Sequence, residues 1–373
     1  MENQNSVAYV GKVNSVVEIP GADNIELAFV NGWSAIVKKG QYKEDDLVVL
    51  ATTDAVIPEV VSDQLGVTGY LRKGQRVRTI KLRGVYSECL LIPLSYVGER
   101  YCQEGTDVMG TLNIYKYEPP VKTITLESNG RKVRYHQNPN FHIYYKFPNQ
   151  KNVPDMFNEY DVVAITRKLH GTNARYGIVR KKKLSLFDRV KLLFGRKWAR
   201  FEYVYGSHNV EKGSDSQGFY SEDVWEKVAK KYDIRSRLWD HVKRAYTPNQ
   251  LKEGFIIYGE IYGAGIQKNY DYNLDTIKFA GFDVEVNGRY ETYASEKAHF
   301  NLMDLPQVDL LYMGRWSKER QDQYVFNNFI RGTKVPHEGI VVKEISGDRS
   351  KVSKVINPDY LIYGEKNNVG DSH

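Results

Sequence analysis

The sequence predicts an α+β protein in which a small N-terminal β-barrel precedes a larger domain of mixed strands and helices. Three observations carry this. Residues 7–117 are short apolar and β-branched runs broken by turn signals, an all-β pattern. The remainder interleaves strand-like runs with amphipathic helical stretches, the pattern of an α+β domain. A length of 373 residues favours two or three domains and allows a substantial core.

In the first part, residues 25–30, Asn31-Gly32 and residues 33–37 read as a hairpin, because Asn-Gly accepts the positive φ angles of a type I′ turn. Strand-like runs follow at 46–52, 76–83 and 88–93. About five strands in this length fit a small closed barrel such as the OB-fold, which often binds single strands or duplex backbones. Along 76–83 basic residues alternate with apolar ones, so Arg76 and Arg78 are candidate nucleic-acid contacts; the pattern equally suits an edge strand protected by charge. Glu118-Pro119-Pro120 marks a domain exit. The expected division is an OB-like domain at 1–118, a connection at 119–134 and a second domain at 135–373. In that domain strands are expected at 162–166, 255–260, 277–284 and 340–343, and helices at 221–246 and 315–329.

Lys and Arg number 53 against 46 Asp and Glu, a net charge of +7. The excess is concentrated at 180–200 and 72–83, which suits a polyanionic partner, since phosphate contacts release condensed counterions; a solvated basic face is the plainer reading. Cys89 and Cys102 have neither metal-site spacing nor the density of a disulfide scaffold, so a reducing, intracellular and cytoplasmic setting is expected. No charged segment followed by an apolar run opens the sequence, and no run of about 18 apolar residues occurs. Secretion and membrane spanning are not expected.

Chemistry concentrates at residues 165–175, Ile-Thr-Arg-Lys-Leu-His-Gly-Thr-Asn-Ala-Arg. A strand delivers Lys168, and Gly171 three residues later lets the backbone turn close to a ligand. This resembles the nucleotidyl-lysine motif of the covalent nucleotidyltransferases, which comprise DNA ligases, RNA ligases and mRNA capping enzymes; His170 followed by Gly-Thr-Asn is similar to the RNA ligases in particular. A Lys-x-x-Gly tetrapeptide alone is common. The ordered set behind it is not. Residues 255–260, ending Gly259-Glu260, resemble the motif whose carboxylate binds the nucleotide ribose. Residues 277–284 resemble the aromatic strand that packs on the purine, which implicates Phe279. His337-Glu338-Gly339 resembles the motif placing a carboxylate near the metal, and residues 350–357, with Lys351 and Lys354, resemble the strand aimed at the α-phosphate. Taken singly, each has a plain reading as a strand end, core aromatic, turn or solvated lysine.

The resemblance implies an adenylyltransferase domain of the ligase type. Lys168 is the implied nucleophile, Glu260 and Glu338 the holders of a divalent ion (Mg or Mn), and Lys354, with Lys351, the cation on the phosphate. Leu169, His170, Asn173 and Phe279 would line the ATP site, with Asn173 and Ser207 touching the broken strand. An amine attacks phosphorus only when neutral, which a lysine can become and an arginine cannot. Two departures stand out: Arg167 occupies a place often acidic in relatives, and Lys351 and Lys354 lie three apart where Lys-x-Lys is frequent. With 19 residues after Lys354 and the barrel in front, the order is similar to the fifth family of ATP-dependent RNA ligases. That implies a monomer acting on RNA or nicked duplexes with 3′-hydroxyl and 5′-phosphate ends. A DNA ligase or capping-type enzyme, or a non-catalytic RNA-binding protein with a ligase-like domain, are the alternatives.

Overall fold

The computed structural model describes residues 6–72, 74–101, 103–117, 127–128, 131–132, 137–214, 218–219 and 223–369. The expected connection at 119–134 and Cys102 fall largely or wholly outside them. The chain forms two compact units, Met1–Val121 with Pro148–Phe157 and Lys354–Asn367, and Lys122–Phe147 with Asn158–Ser353 and Asn368–His373.

The first unit is built on five antiparallel strands, β1 (Ala8–Glu18), β2 (Ile25–Val30), β3 (Trp33–Lys38), β4 (Leu47–Thr52) and β5 (Cys89–Pro93), in the order β3-β2-β1-β4-β5. Strand β1 pairs with β4 through its first half and β2 through its second, bending at an irregularity between Val13 and Ser15, as a bulge does. The outer strands meet where the Glu88 N–H donates to the Ser34 carbonyl at 2.8 Å, giving the expected barrel. In the Asn31-Gly32 turn only Asn31 is left-handed, with φ of 53°, so the type I′ geometry is not adopted. Gly32 answers a different constraint: a Cβ there would lie 2.6 Å from the Lys151 Cα.

The run expected to be one strand at 76–83 is a strand only at Ile80–Leu82, paired with Val85–Ser87 across Arg83-Gly84. Upstream, Gln75 is left-handed and the Val77 N–H is engaged by Ala55, which breaks the run. Two returning segments complete this unit. The Lys151 ammonium pairs with Glu88. Helix Pro358–Asn367 is tied to the Ile80–Ser87 hairpin and its approach by Tyr86 donating to Asp359 at 2.8 Å and by the Arg78–Glu365 pair.

The second unit has two sheets. A four-stranded one has the order β14 (Leu310–Arg315), β6 (Val162–Lys168), β15 (Gly339–Glu344) and β16 (Val352–Ile356), the last carrying the chain into the first unit at Lys354. The other holds β7 (Thr172–Arg180), β8 (Phe201–Gly206), β9 (Glu211–Ser214), β10 (Gly218–Phe219), β11 (Gly254–Gly263), β12 (Ile277–Val286) and β13 (Arg289–Tyr290), ordered β10-β9-β8-β7-β11-β12-β13. Helices α1 (Leu186–Leu193), α2 (Val224–Lys231), α3 (Ile234–Ala245) and α4 (Tyr293–Leu302) accompany it. Strand alternation sends Tyr176, Ile178 and Phe255 into a core with Leu238 of α3 and Phe300 of α4, while Val179, Ile256 and Tyr258 pack on Phe141 and Tyr144.

The helix expected at 221–246 is two, because Asp233 takes φ of 50°. That expected at 315–329 shrinks to Lys318–Asp322, its start being claimed by β14, which pairs along β6. Residues 169–171 cross from the four-stranded to the seven-stranded sheet, which sets Lys168 at the end of β6 where the chain changes sheets.

Candidate active site

Lys168 ends β6 opposite Gly339 of β15, and this register brings the neighbouring Glu338 to it. The Lys168 ammonium donates to Glu338 Oε1 at 2.5 Å. Glu338 is 4% exposed, and its other oxygen, Oε2, is buried without a hydrogen-bond partner among the described residues. Glu260 comes from β11, where it stands opposite Asn173 of β7, and Gly171 packs against it: a Cβ on Gly171 would lie 2.9 Å from Glu260 Cγ. Glu260 keeps some surface exposure as a residue, but its carboxyl is turned inward. Burial pushes that carboxyl up to about 8; Lys168 pulls it down and Glu338 adds to the rise.

A carboxyl raised from 4.5 to about 8 on folding holds its proton in the native state after the unfolded chain has released it. The native state is therefore disfavoured as pH rises from near 4.5 through 8. The Tm of Glu260→Gln should gain on the natural chain across this window, and a constant difference between pH 4 and 9 would refute the shift. The comparison is a pair of thermal melts.

The turn itself is pinned on several sides. The His170 N–H donates to the Tyr272 hydroxyl at 2.6 Å, and Gln267 donates to the Gly171 carbonyl. The His170 imidazole is fully buried, 4.6 Å from the Tyr270 ring centroid, and Tyr270 donates to the Pro336 carbonyl at 2.8 Å. Leu169 is half-buried on the turn. None of Tyr270, Tyr272 or Gln267 was singled out by sequence reasoning; their only signal is a tyrosine-rich loop behind β11.

The structure thus brings Lys168, His170, Asn173, Glu260 and Glu338 together. Asn173 Oδ1 is buried and has no hydrogen-bond partner among the described residues. Two residues along the same face, Arg175 is fully buried and donates to the Ser207 carbonyl at 2.8 Å and the Phe141 carbonyl at 2.5 Å. Ser207 is thereby held to β7 by a side chain to which sequence analysis assigns no role. Arg167 is partly buried, and burial lowers its guanidinium from the ordinary value.

The other expected residues have contacts of their own. Phe279 is 1% exposed and packs in the helix-side core against Tyr176 and Tyr232. The physical reason is the irregularity between Tyr258 and Gly259 in the β11–β12 pairing. It sets the Phe279 ring over Gly259, where a Cβ would lie 2.4 Å from the ring. Lys351 donates to Asp161 at 2.6 Å. Lys354 belongs to the first unit, its N–H donating to the Pro148 carbonyl at 2.9 Å. Also in the first unit, Arg76 pairs with Asp54 and stacks on Tyr117, and Arg78 pairs with Glu365. These two arginines are engaged within the chain.

An OB-fold domain model matches residues 7–94, and an RNA ligase family model matches residues 161–356. No curated protein matches the chain. Among solved structures, Naegleria gruberi RNA ligase with PPi is similar at 23% identity and TM-score 0.69, over 97% of this chain and 99% of that one. Two single-site variants of the same ligase, each with ATP and Mn, are similar at 22% identity. One has TM-score 0.68 over 97% and 99% of the chains, the other 0.65 over 98% of both. At this identity the likeness is one of fold.

Proposed function

The chain belongs to the RNA ligase family, and on that premise we propose that it is an ATP-dependent ligase sealing 3′-hydroxyl/5′-phosphate breaks in RNA, nicks in duplexes foremost, through AMP carried on Lys168. The observation that carries this reading is the Lys168–Glu338 contact beside Glu260, at the crossing between the two sheets of the second unit. The structures of Naegleria gruberi RNA ligase described with ATP and Mn support the choice of nucleotide and metal.

Lys168 Nζ attacks the α-phosphorus of ATP, a nitrogen–phosphorus bond forms and pyrophosphate leaves. The amine's proton has an acceptor in Glu338 Oε1, 2.5 Å away. The AMP then passes to a 5′-phosphate, and a 3′-hydroxyl displaces it to form the phosphodiester. Charge accumulates on the phosphoryl oxygens in each transfer, and Lys354, with Lys351, is the cation that the family resemblance assigns to it. Asn173 and Ser207 are assigned by the same resemblance to the strand being joined.

The residues present fit a divalent ion. Glu338 Oε2 is a buried acceptor with no hydrogen-bond partner among the described residues, and Glu260 supplies a second carboxylate. No group of three or more His, Cys, Asp or Glu among the described residues could hold a metal. Two carboxylates suit Mg²⁺ or Mn²⁺ that keeps water and takes the substrate's phosphates as its remaining ligands. When bound, the ion supplies neutralisation of phosphate charge.

The barrel contributes nucleic-acid affinity, and the enzyme acts as a monomer in the cytoplasm. No helix among the described residues is long and apolar enough to cross a membrane.

The test is incubation with α-labelled ATP or GTP and Mg²⁺, then with nicked duplexes carrying ribose or deoxyribose at the 3′-hydroxyl end. Label on the protein from ATP alone, and sealing that requires ribose, are expected. Label from GTP would favour a capping-type enzyme, sealing indifferent to the sugar a DNA ligase, and retention of RNA without label a passive binder.

A further inference from the structure

Helix α1 and the residues after it form a surface that the ligation chemistry does not use. Leu186, Phe187, Val190, Leu193 and Phe194 are each between 46% and 87% exposed. Their spacing, i, i+1, i+4, i+7 and i+8, gathers them on one side of the helix. Soluble proteins rarely leave so concentrated a patch uncovered without a partner for it.

The segment is a formed element. Ser185 and Asp188 make a reciprocal capping box at the helix start, and Lys181 donates to Asp188 at 2.8 Å. At the other end the Trp198 ring packs 5.4 Å from Phe201 and 6.2 Å from Trp239. The apolar side chains are thus held outward between two anchored ends.

Around them lies a strong positive field. Residues 180–200 contain nine Lys and Arg and a single Asp, and Lys182, Lys183, Arg189 and Arg196 are exposed. The Lys191 ammonium lies 4.2 Å over the Phe187 ring, its stem covering apolar surface while its charge reaches outward.

The occupant must therefore be anionic outside and apolar just beneath. A second copy of this chain would bring the same cations face to face. A nucleic acid matches the cations and could stack on Phe187 and Phe194, yet it offers nothing to Leu186, Val190 and Leu193. An anionic phospholipid surface answers both halves: headgroup phosphates meet the lysines and arginines while leucine and phenylalanine enter the acyl boundary. Strand β7 runs from Thr172 to Arg180 before this segment, about 26 Å at the usual rise per residue. Docking here leaves the Lys168 end of the strand clear.

We infer that the α1 segment is a peripheral docking element for anionic phospholipid surfaces. It takes up the membrane interface without spanning it, and the inference stands whether or not the ligase reading does.

The test is co-sedimentation of the full chain with vesicles of phosphatidylcholine alone or mixed with phosphatidylserine, with the Leu193→Asp/Phe194→Asp double variant alongside. The natural chain should pellet with the mixed vesicles, stay soluble with the neutral ones, and be released by high salt. The double variant should lose at least about tenfold in apparent affinity while melting at the same temperature, since both side chains face solvent. Failure to pellet, or equal pelleting of the double variant, overturns the inference. So does a doubled mass in light scattering that the double variant abolishes, which would assign the patch to self-association. A matching loss of duplex RNA binding without vesicle binding would assign it to nucleic acid.

Discussion

Lys168→Arg is expected to abolish the covalent adenylate, lowering its rate of formation by more than about 10⁴-fold, the order seen when a covalent nucleophile is removed, while leaving the fold intact. The arginine keeps a positive charge against Glu338, which is buried and accepts from Lys168 at 2.5 Å, so the carboxylate is not stranded. A guanidinium cannot give up its proton at any pH compatible with folding, so no nucleophile remains. Lys168→Ala makes the contrast. It also ends adenylation, but leaves the buried Glu338 carboxylate without the cation paired to it, and removing one partner of a buried pair destabilises strongly. Intact-mass spectrometry after incubation with ATP and Mg²⁺ reads the first effect, and thermal melts of the three proteins read the second. An adenylated arginine variant would remove Lys168 from the role of nucleophile.

What could be read from sequence was the chemistry encoded over a few neighbouring residues. Gly171 after Lys168, Glu260 at a strand end and Glu338 before a glycine are local patterns, and the sheets bring them together. What could not be read depended on pairing across the chain. The packing of Phe279 over Gly259 depends on the irregularity opposite Tyr258 and Gly259, which strand alternation alone does not show. Arg78 looked free to meet nucleic acid, yet its carboxylate partner, Glu365, is 287 positions away. Arg175 ends the stretch read as the lysine motif, but its service to the carbonyls of Phe141 and Ser207 leaves no local signature. The run at 76–83 read as one strand because alternation alone does not register the left-handed Gln75. The barrel was legible, and the segments 148–157 and 354–367 that return to it were not.

Gly171→Ala is the second large effect, and it tests the site through space instead of charge. The added Cβ would sit 2.3 Å from the Ile261 carbonyl oxygen, 2.9 Å from Glu260 Cγ and 3.1 Å from Glu260 Oε1. The first neighbour is backbone of β11, paired with β7 on one side and β12 on the other, and cannot swing aside, so either the 169–171 crossing or the strand must yield. If the crossing yields, Lys168 at its start moves with it. A misplacement of about 1 Å is enough to lower a rate by about 10²-fold, and that loss is expected in adenylate formation. The accompanying destabilisation should stay near 1–3 kcal/mol, the ordinary range for overpacking, so the chain remains folded at room temperature. Gly69→Ala is the matched control: its φ is not left-handed and nothing lies within 4 Å of an added Cβ, so both stability and adenylation should persist. An active Gly171→Ala would mean that the close approach between the lysine turn and Glu260 is dispensable, and with it the assignment of Glu260 to the reacting centre.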